Sequence, residues 1–168
     1  MRFEERLQDR ATWRIGERCS AAKTLDLLST KTVFLVVREC FYGTSRFDAF
    51  VDRTGASAPA VSRALRVLES SGVVERVPYR EPGERPRDAY RLTPAGEELL
   101  PVLMSLIQWG DKHLQGGNPP LRFTRDGDEE VVVSVTTRDL EPVTSDSILI
   151  HAGSNVAEPG GRPAEGSA

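Results

Sequence analysis

Two arginines one helical turn apart, Arg63 and Arg66, stand in a stretch of small and hydroxylated residues that reads Ser57-Ala-Pro-Ala-Val-Ser-Arg-Ala-Leu-Arg66. A guanidinium is a planar fork of donors suited to phosphate oxygens and guanine edges. The small residues ahead of the pair, Ser57, Pro59 and Ala60, would let the backbone of that end come close to a polyanion, with Ser62 at the flank. Three more arginines, Arg80, Arg85 and Arg87, lie in the Pro/Gly-rich loop 80–88, diluted there by Glu81, Glu84 and Asp88. The chemistry on offer is recognition of phosphate and base rather than bond making.

Covalent chemistry has one candidate. Cys19 lies between Arg18 and Lys23 at the start of an expected helix, where positive neighbours and a helix N-terminus stabilise a thiolate. It is a redox-sensing candidate; the plain alternative is a small residue closing a hydrophobic corner. Cys40, among Val36, Val37 and Phe41, reads as core packing. The only histidines, His113 and His151, fall in no metal or triad spacing. There is no phosphate loop and no Gly-x-Ser-x-Gly. No metal, cofactor or enzymatic activity is expected.

The elements that must position these residues follow from periodicity. On a helical wheel of Ser57–Ser71, Val61, Ala64, Leu65 and Leu68 share one face, while Pro59, Arg63, Arg66 and Ser70 lie opposite. Ser57 is the expected cap and Gly72 the stop. On the helix alone, an ordinary amphipathic surface helix is as good a reading as a recognition helix. The residues downstream of Gly72 shift the balance: a strand from Val73 to Tyr79, the polar loop 80–88, too proline-rich to be sheet, and a return strand from Ala89 to Leu92. A helix, a strand, a basic loop and a return strand form the layout of a recognition helix with a β-wing.

Upstream, the sequence predicts a helix over 2–15, another over Ser20–Leu28 with Leu25 and Leu28 inward, and a third over Lys31–Phe41 with Phe34, Leu35, Val37 and Cys40 on its apolar side. Ser45-Arg46-Phe47-Asp48 resembles an N-cap opening a short helix to about Arg53 that buries Phe47 and Phe50. Downstream, Thr93-Pro94 opens a long helix to about Leu114, kinked at Pro101. Its apolar residues, including Leu99, Val102, Leu103, Leu106, Ile107, Trp109 and Leu114, span roughly 180°, wider than one core requires. The excess points to a second copy of the chain; the alternative is that a C-terminal hairpin covers it. Leu121–Phe123 and Glu130–Thr136 flank an Asp126-Gly127 turn, a hairpin signal, and Ile148-Leu149-Ile150 could form a further strand. From Gly153 on, the composition predicts a disordered tail.

The 168 residues carry a net charge of −3, with Arg outnumbering Lys 19 to 3. That balance argues against a general polyanion binder. The chain is nevertheless asymmetric, +2 up to Gln115 and −5 beyond it, so nucleic-acid contact must come from a local patch in the first part. No apolar run could span a membrane, the N-terminus lacks a signal-like core, and two cysteines make no disulfide framework. A cytoplasmic location is expected.

The stretch Cys19–Leu114 resembles the HxlR-type winged-helix regulators, relatives of the MarR group. The resemblance is carried by Cys19, Lys23-Thr24-Leu25-Asp26-Leu27-Leu28, Lys31, Arg38-Glu39, Arg46-Phe47, Leu65-Arg66, Leu68-Glu69, Gly72-Val73-Val74-Glu75-Arg76, Tyr90-Arg91-Leu92-Thr93, Gly96 and Trp109-Gly110. It implies a homodimer on double-stranded DNA at a pseudo-palindromic operator near its own or a neighbouring gene. The helix at 57–71 would enter the major groove, with Ser57, Ser62, Arg63 and Arg66 as contacts and 80–88 as the wing. Ala64 stands where the family often has another arginine, which alters base readout. Thr32 stands near a usual tryptophan. Relatives use a cysteine at the Cys19 position to sense oxidants or electrophiles, and some carry a cysteine-rich ribbon that is absent here.

The expected architecture is α+β. It comprises an N-terminal helical extension (1–18), a winged helix-turn-helix (19–92), a long dimerisation helix (93–115), an appended small β hairpin or sheet (116–152) and a disordered tail (153–168). The expected function is a homodimeric transcriptional regulator, a repressor, with an oxidant or small-molecule effector. A winged-helix module for protein–protein assembly, and a regulator gated by a small molecule in a dimer-interface cavity, are the alternatives.

Overall fold

The computed structural model describes residues 1–80 and 87–153. Two compact units emerge, one of residues 24–133 and one combining 1–23 with the segment from 134 onward.

The larger unit is built on three helices and a hairpin. Helix α2 (Lys31–Phe41) is capped by Thr30, whose side chain accepts from the Val33 N–H. Its β-branched residues would suit a strand, but Val33, Val36 and Val37 fall at i, i+3 and i+4, so only a helix buries all three on one face. Phe34 and Leu35, expected inward, are only half-buried. Helix α3 (Phe47–Thr54) is capped by Arg46 rather than Ser45, because the Ser45 carbonyl accepts the Tyr90 N–H at 2.8 Å. It buries Phe50 completely and Phe47 partly. Gly55, at φ 64°, ends it in the left-handed region that favours glycine. Helix α4 (Ala58–Ser70) then places Val61, Ala64, Leu65 and Leu68 in the core.

Strands β2 (Val74–Tyr79) and β3 (Arg87–Leu92) pair antiparallel, with Val74 opposite Leu92 at the base and Tyr79 opposite Arg87 at the far end. The return strand therefore begins two residues before the expected Ala89. Arg87 and Asp88 are sheet rather than loop, because Pro78 needs no ladder donor of its own and the pairing continues past it. A bridge from Arg46 to Ala89 adds a third edge. The core comprises α2, α3, α4 and the base of the hairpin.

Thr93 caps α5 (Pro94–Glu97) by accepting from the Gly96 N–H, as the sequence predicts. Gly96 itself is buried so tightly that a Cβ there would lie 2.1 Å from the Val73 carbonyl oxygen. The expected kinked helix is two helices. Pro101 cannot donate to a carbonyl four residues back, so the chain breaks at 98–99 and restarts as α6 (Leu100–His113), with Pro101 in its first turn. The segment after α6 returns along it: Phe123 stacks on Tyr42 at 6.4 Å. The Asp126-Gly127 turn joins β4 (Thr124–Arg125) to β5 (Glu129–Glu130). That ladder is shorter than expected, since the Gln108 side-chain amide takes over the next backbone groups, donating to the Val131 carbonyl and accepting from the Val133 N–H.

In the smaller unit, residues 2–15 are not a helix. β1 (Arg2–Phe3) pairs parallel with β6 (Leu149–Ile150), and short 3-10 turns follow at Glu5–Leu7 and Gly16–Arg18. The backbone N–H groups of Arg2 and Glu4 go to the carbonyls of Ile148 and Ile150, and an isolated short helix, with its costly nucleation, does not compete with that pairing. Leu7 and Trp13 are buried, Trp13 packs edge-on to Phe3 at 5.4 Å, and Arg10 lies over both rings. Helix α1 (Ser20–Leu27) forms where expected but carries no buried residue, and Leu25, expected inward, is 68% exposed. The predicted tail lies outside the described residues from 154 on.

Candidate nucleic-acid interface

The proposed interface begins with the division of α4. Its inner face is sealed, with Val61, Ala64, Leu65 and Leu68 all at or below 2% exposure. Its other side presents Pro59, Arg63 and Arg66 to solvent, with Ala60 and Ser62 at the margin and Ser57 exposed at the cap. The Ser57 side chain makes no capping bond; the expected cap holds by position and backbone only, its carbonyl accepting from Ala60 and Val61. Arg66 Nε donates to the Ser62 carbonyl at 3.4 Å, which holds the guanidinium along the helix. Ala64 is 2% exposed and belongs to the core.

Of the loop arginines, Arg80 and Arg87 flank the tip of the hairpin and are exposed, while Arg85 lies outside the described residues. Arg87 Nη1 lies 4.0 Å from Asp48 Oδ2, at the first turn of α3. Arg46 lies 5.0 Å over the Tyr79 ring. Arg46, Asp48, Tyr79 and Arg87 wall an open cleft of about 630 Å³ between α3 and the hairpin. The Glu75–Arg91 pair (2.6 Å) crosses the strands on the other face.

Three features were not anticipated from the sequence. Glu39 is buried at 5% exposure, held by Arg38 Nη2 at 2.6 Å and by the Thr44 hydroxyl at 3.2 Å. Arg76 joins Glu69 and Asp88. A groove of about 420 Å³ opens between α2, α6 and residues 120–123, lined by Arg38, Tyr42, Leu106, Ile107, Leu114 and Phe123 among others. None leaves a periodic signature, because each depends on which elements become neighbours.

Along α6 the apolar residues divide. Leu103 is 2% exposed and Leu99 packs against the core, so neither faces outward as an interface residue would. Ile107 is half-buried. Val102, Leu106 and Trp109 are 38%, 54% and 57% exposed, and Leu114 72%. Gln108 holds one flank of the returning segment, and Phe123 and Leu121 line the groove on the other. At about 100° per residue the stripe 102/106/109 lies between those flanks. The segment after α6 thus borders the stripe and leaves it open.

Cys19 is half-buried, and its Sγ accepts from the Ala22 N–H at 3.4 Å at the start of α1. Burial, reinforced by the Glu39 charge, pushes the Cys40 thiol up to about 12, which fits the expected packing role. No His/Cys/Asp/Glu group among the described residues could hold a metal. No described helix is long and apolar enough to cross a membrane.

Comparison with known proteins agrees with this geometry. The HxlR-like helix-turn-helix profile matches residues 27–118. The chain is 36% identical over 105 residues to Rv3095 of Mycobacterium tuberculosis, an uncharacterised HTH-type transcriptional regulator, covering 62% of this chain and 65% of that one. It thus spans just under two-thirds of that relative's length. A second HTH-type regulator, sll1512 of Synechocystis, is 36% identical over 60% of this chain and 73% of its own. Among solved structures, PA1607, a candidate transcription factor, matches with a TM-score of 0.71 and 27% identity over 81% of this chain and 96% of its own. The reduced form of the redox regulator HypR matches with a TM-score of 0.50 and 25% identity over 58% of this chain and 98% of its own.

Proposed function

The chain belongs to the HxlR-like helix-turn-helix family of transcriptional regulators, and from that premise we propose a homodimeric, sequence-specific repressor acting on a pseudo-palindromic operator. Residues 19–92 form its DNA-binding part and 93–115 its dimerisation part. Helix α4 enters the major groove, reading it with Ser57, Ser62, Arg63 and Arg66. The loop arginines Arg80, Arg85 and Arg87 position the protein on phosphates.

The observation that carries this reading is the division of α4 into a sealed apolar face and an exposed face bearing both arginines. The open stripe Val102, Leu106 and Trp109 supports the second copy, whose α4 would sit about 34 Å away, one DNA turn. Cys19 is the proposed redox-responsive residue, supported by its place at the start of α1 and by the likeness to HypR.

The test is the double variant Arg63→Ala/Arg66→Ala, measured for binding to duplex DNA from the intergenic region beside its gene. The expected result is a loss of about tenfold to a hundredfold in affinity, with helix content and oligomeric state unchanged. Undiminished binding would overturn the assignment of α4 and favour a winged-helix module used for protein assembly.

A further inference from the structure

The apolar core stops at the base of the hairpin, where Val74 faces Leu92, and the next pair outward on that face is Arg76 with Tyr90. Arg76 is charged and sits where another core residue would continue the packing. Its Nη2 donates to Glu69 Oε2 at 2.7 Å and its Nη1 to Asp88 Oδ2 at 3.3 Å. The guanidinium lies 5.7 Å from the centroid of the Tyr90 ring. Tyr90 in turn meets Phe50, fully buried in α3, edge-on at 6.3 Å. One side chain therefore touches the last turn of α4 and both strands of the hairpin, and reaches α3 through a ring.

We propose that Arg76 is a positioning residue for DNA binding: it holds the hairpin at one angle to α4, so that wing and recognition helix engage the same duplex together. The inference rests on the reading of α4 and the wing as the DNA interface. A two-stranded hairpin is marginal by itself; here its base is anchored in the core, β3 is tied to residues 45–46 by the Tyr90 N–H on the Ser45 carbonyl and the Arg46–Ala89 bridge, and Arg76 ties the hairpin to α4. Asp88 adjoins Arg87, so the fork on Asp88 reaches almost to the tip. Only a guanidinium can span Glu69 and Asp88 at once from a fixed plane; an ammonium is a single point of charge. The pairs are exposed, with side-chain exposures of 34–45%, and such pairs contribute little to global stability. Their loss leaves the fold standing and loosens the hairpin from α4.

The experiment uses the full chain, a mixed-sequence duplex of about 30 base pairs, long enough for two half-sites one turn apart, and backbone hydrogen exchange of the free protein. Arg76→Met and Arg76→Lys are both expected to speed exchange in 75–79 and 87–91 while α4 keeps its protection. Both are expected to weaken duplex binding about threefold to tenfold, the range for residues coupled in one network. Adding Arg87→Ala is expected to cost less in the Arg76→Met background than in the wild type, since a loosened hairpin no longer delivers Arg87 to a phosphate. Unchanged exchange in the hairpin overturns the proposal. So does full recovery of affinity by Arg76→Lys, which would mark Arg76 as a simple phosphate contact. If exchange accelerates but neither the Arg76 variants nor Arg63→Ala alters duplex binding, the brace is real and the DNA-interface reading is what fails.

Discussion

The two cysteines show how much a residue's role depends on its surroundings. Cys40 is packed in α2 beside a buried carboxylate and its thiol is pushed up to about 12, so at neutral pH it stays protonated and unreactive. Cys19 sits half-exposed at the start of α1. In the folded protein an alkylating reagent at about pH 8 is expected to modify Cys19 and spare Cys40, which reacts only after denaturation; mass spectrometry of the labelled peptides reads the difference. Cys19→Ser should also abolish any effect of oxidant on DNA affinity, and an unchanged response excludes Cys19 as the sensor. Neighbours in sequence were enough to place Cys40 in packing. They were not enough for Glu39, since nothing in its local pattern tells of the Thr44 hydroxyl and Arg38 fork that allow a carboxylate to be buried.

Elements with a strong period were legible, and those whose boundary depends on a distant partner were not. Helix α4 formed with the expected faces because four apolar residues at helical spacing have only one way to reach the core. The sequence predicts one long helix after Thr93, kinked at Pro101; the structure instead breaks it into α5 and α6, and Leu99 and Leu103 turn inward. What remains on α6 is the narrower stripe Val102, Leu106 and Trp109. Leu106 is 54% exposed, so Leu106→Glu leaves the core intact and should change thermal stability of the monomeric unit little. At a buried two-fold interface it would place two carboxylates in an apolar contact. Sedimentation or light scattering is expected to show a shift from dimer to monomer; a variant that remains dimeric places the interface elsewhere.

For the whole molecule, the unexpected feature is that Glu4 meets residues 151–152, far from it in sequence. Glu4 accepts from the Ala152 N–H at 2.9 Å and lies 2.7 Å from His151 Nδ1 and 2.9 Å from Arg6 Nε. The Ala152 N–H first, then His151 and Arg6, hold the Glu4 carboxyl down at about 2. A depressed folded-state value means that this contribution is fully present above the ordinary carboxylate range and is lost as pH falls toward about 2. Protection factors in β1 and β6, taken relative to the intrinsic exchange rate at each pH, should therefore fall on acidification through that window, and Glu4→Gln should show the loosened state already at neutral pH. If β1–β6 protection is flat across the window in the wild type, Glu4 is not the clasp. The sequence by itself determined the winged-helix order, the two faces of α4, the Thr93 cap and the surplus of apolar surface after it, because periodicity and capping act over a few residues. Only the tertiary structure decided that residues 2–3 pair as a strand with 149–150, that Pro101 falls in the first turn of a separate helix, that the segment after α6 leaves the stripe open, and that Arg76 ties Glu69 to Asp88. Each of these depends on groups far apart in sequence competing for the same hydrogen bonds or the same buried space, and local propensity carries no record of that competition.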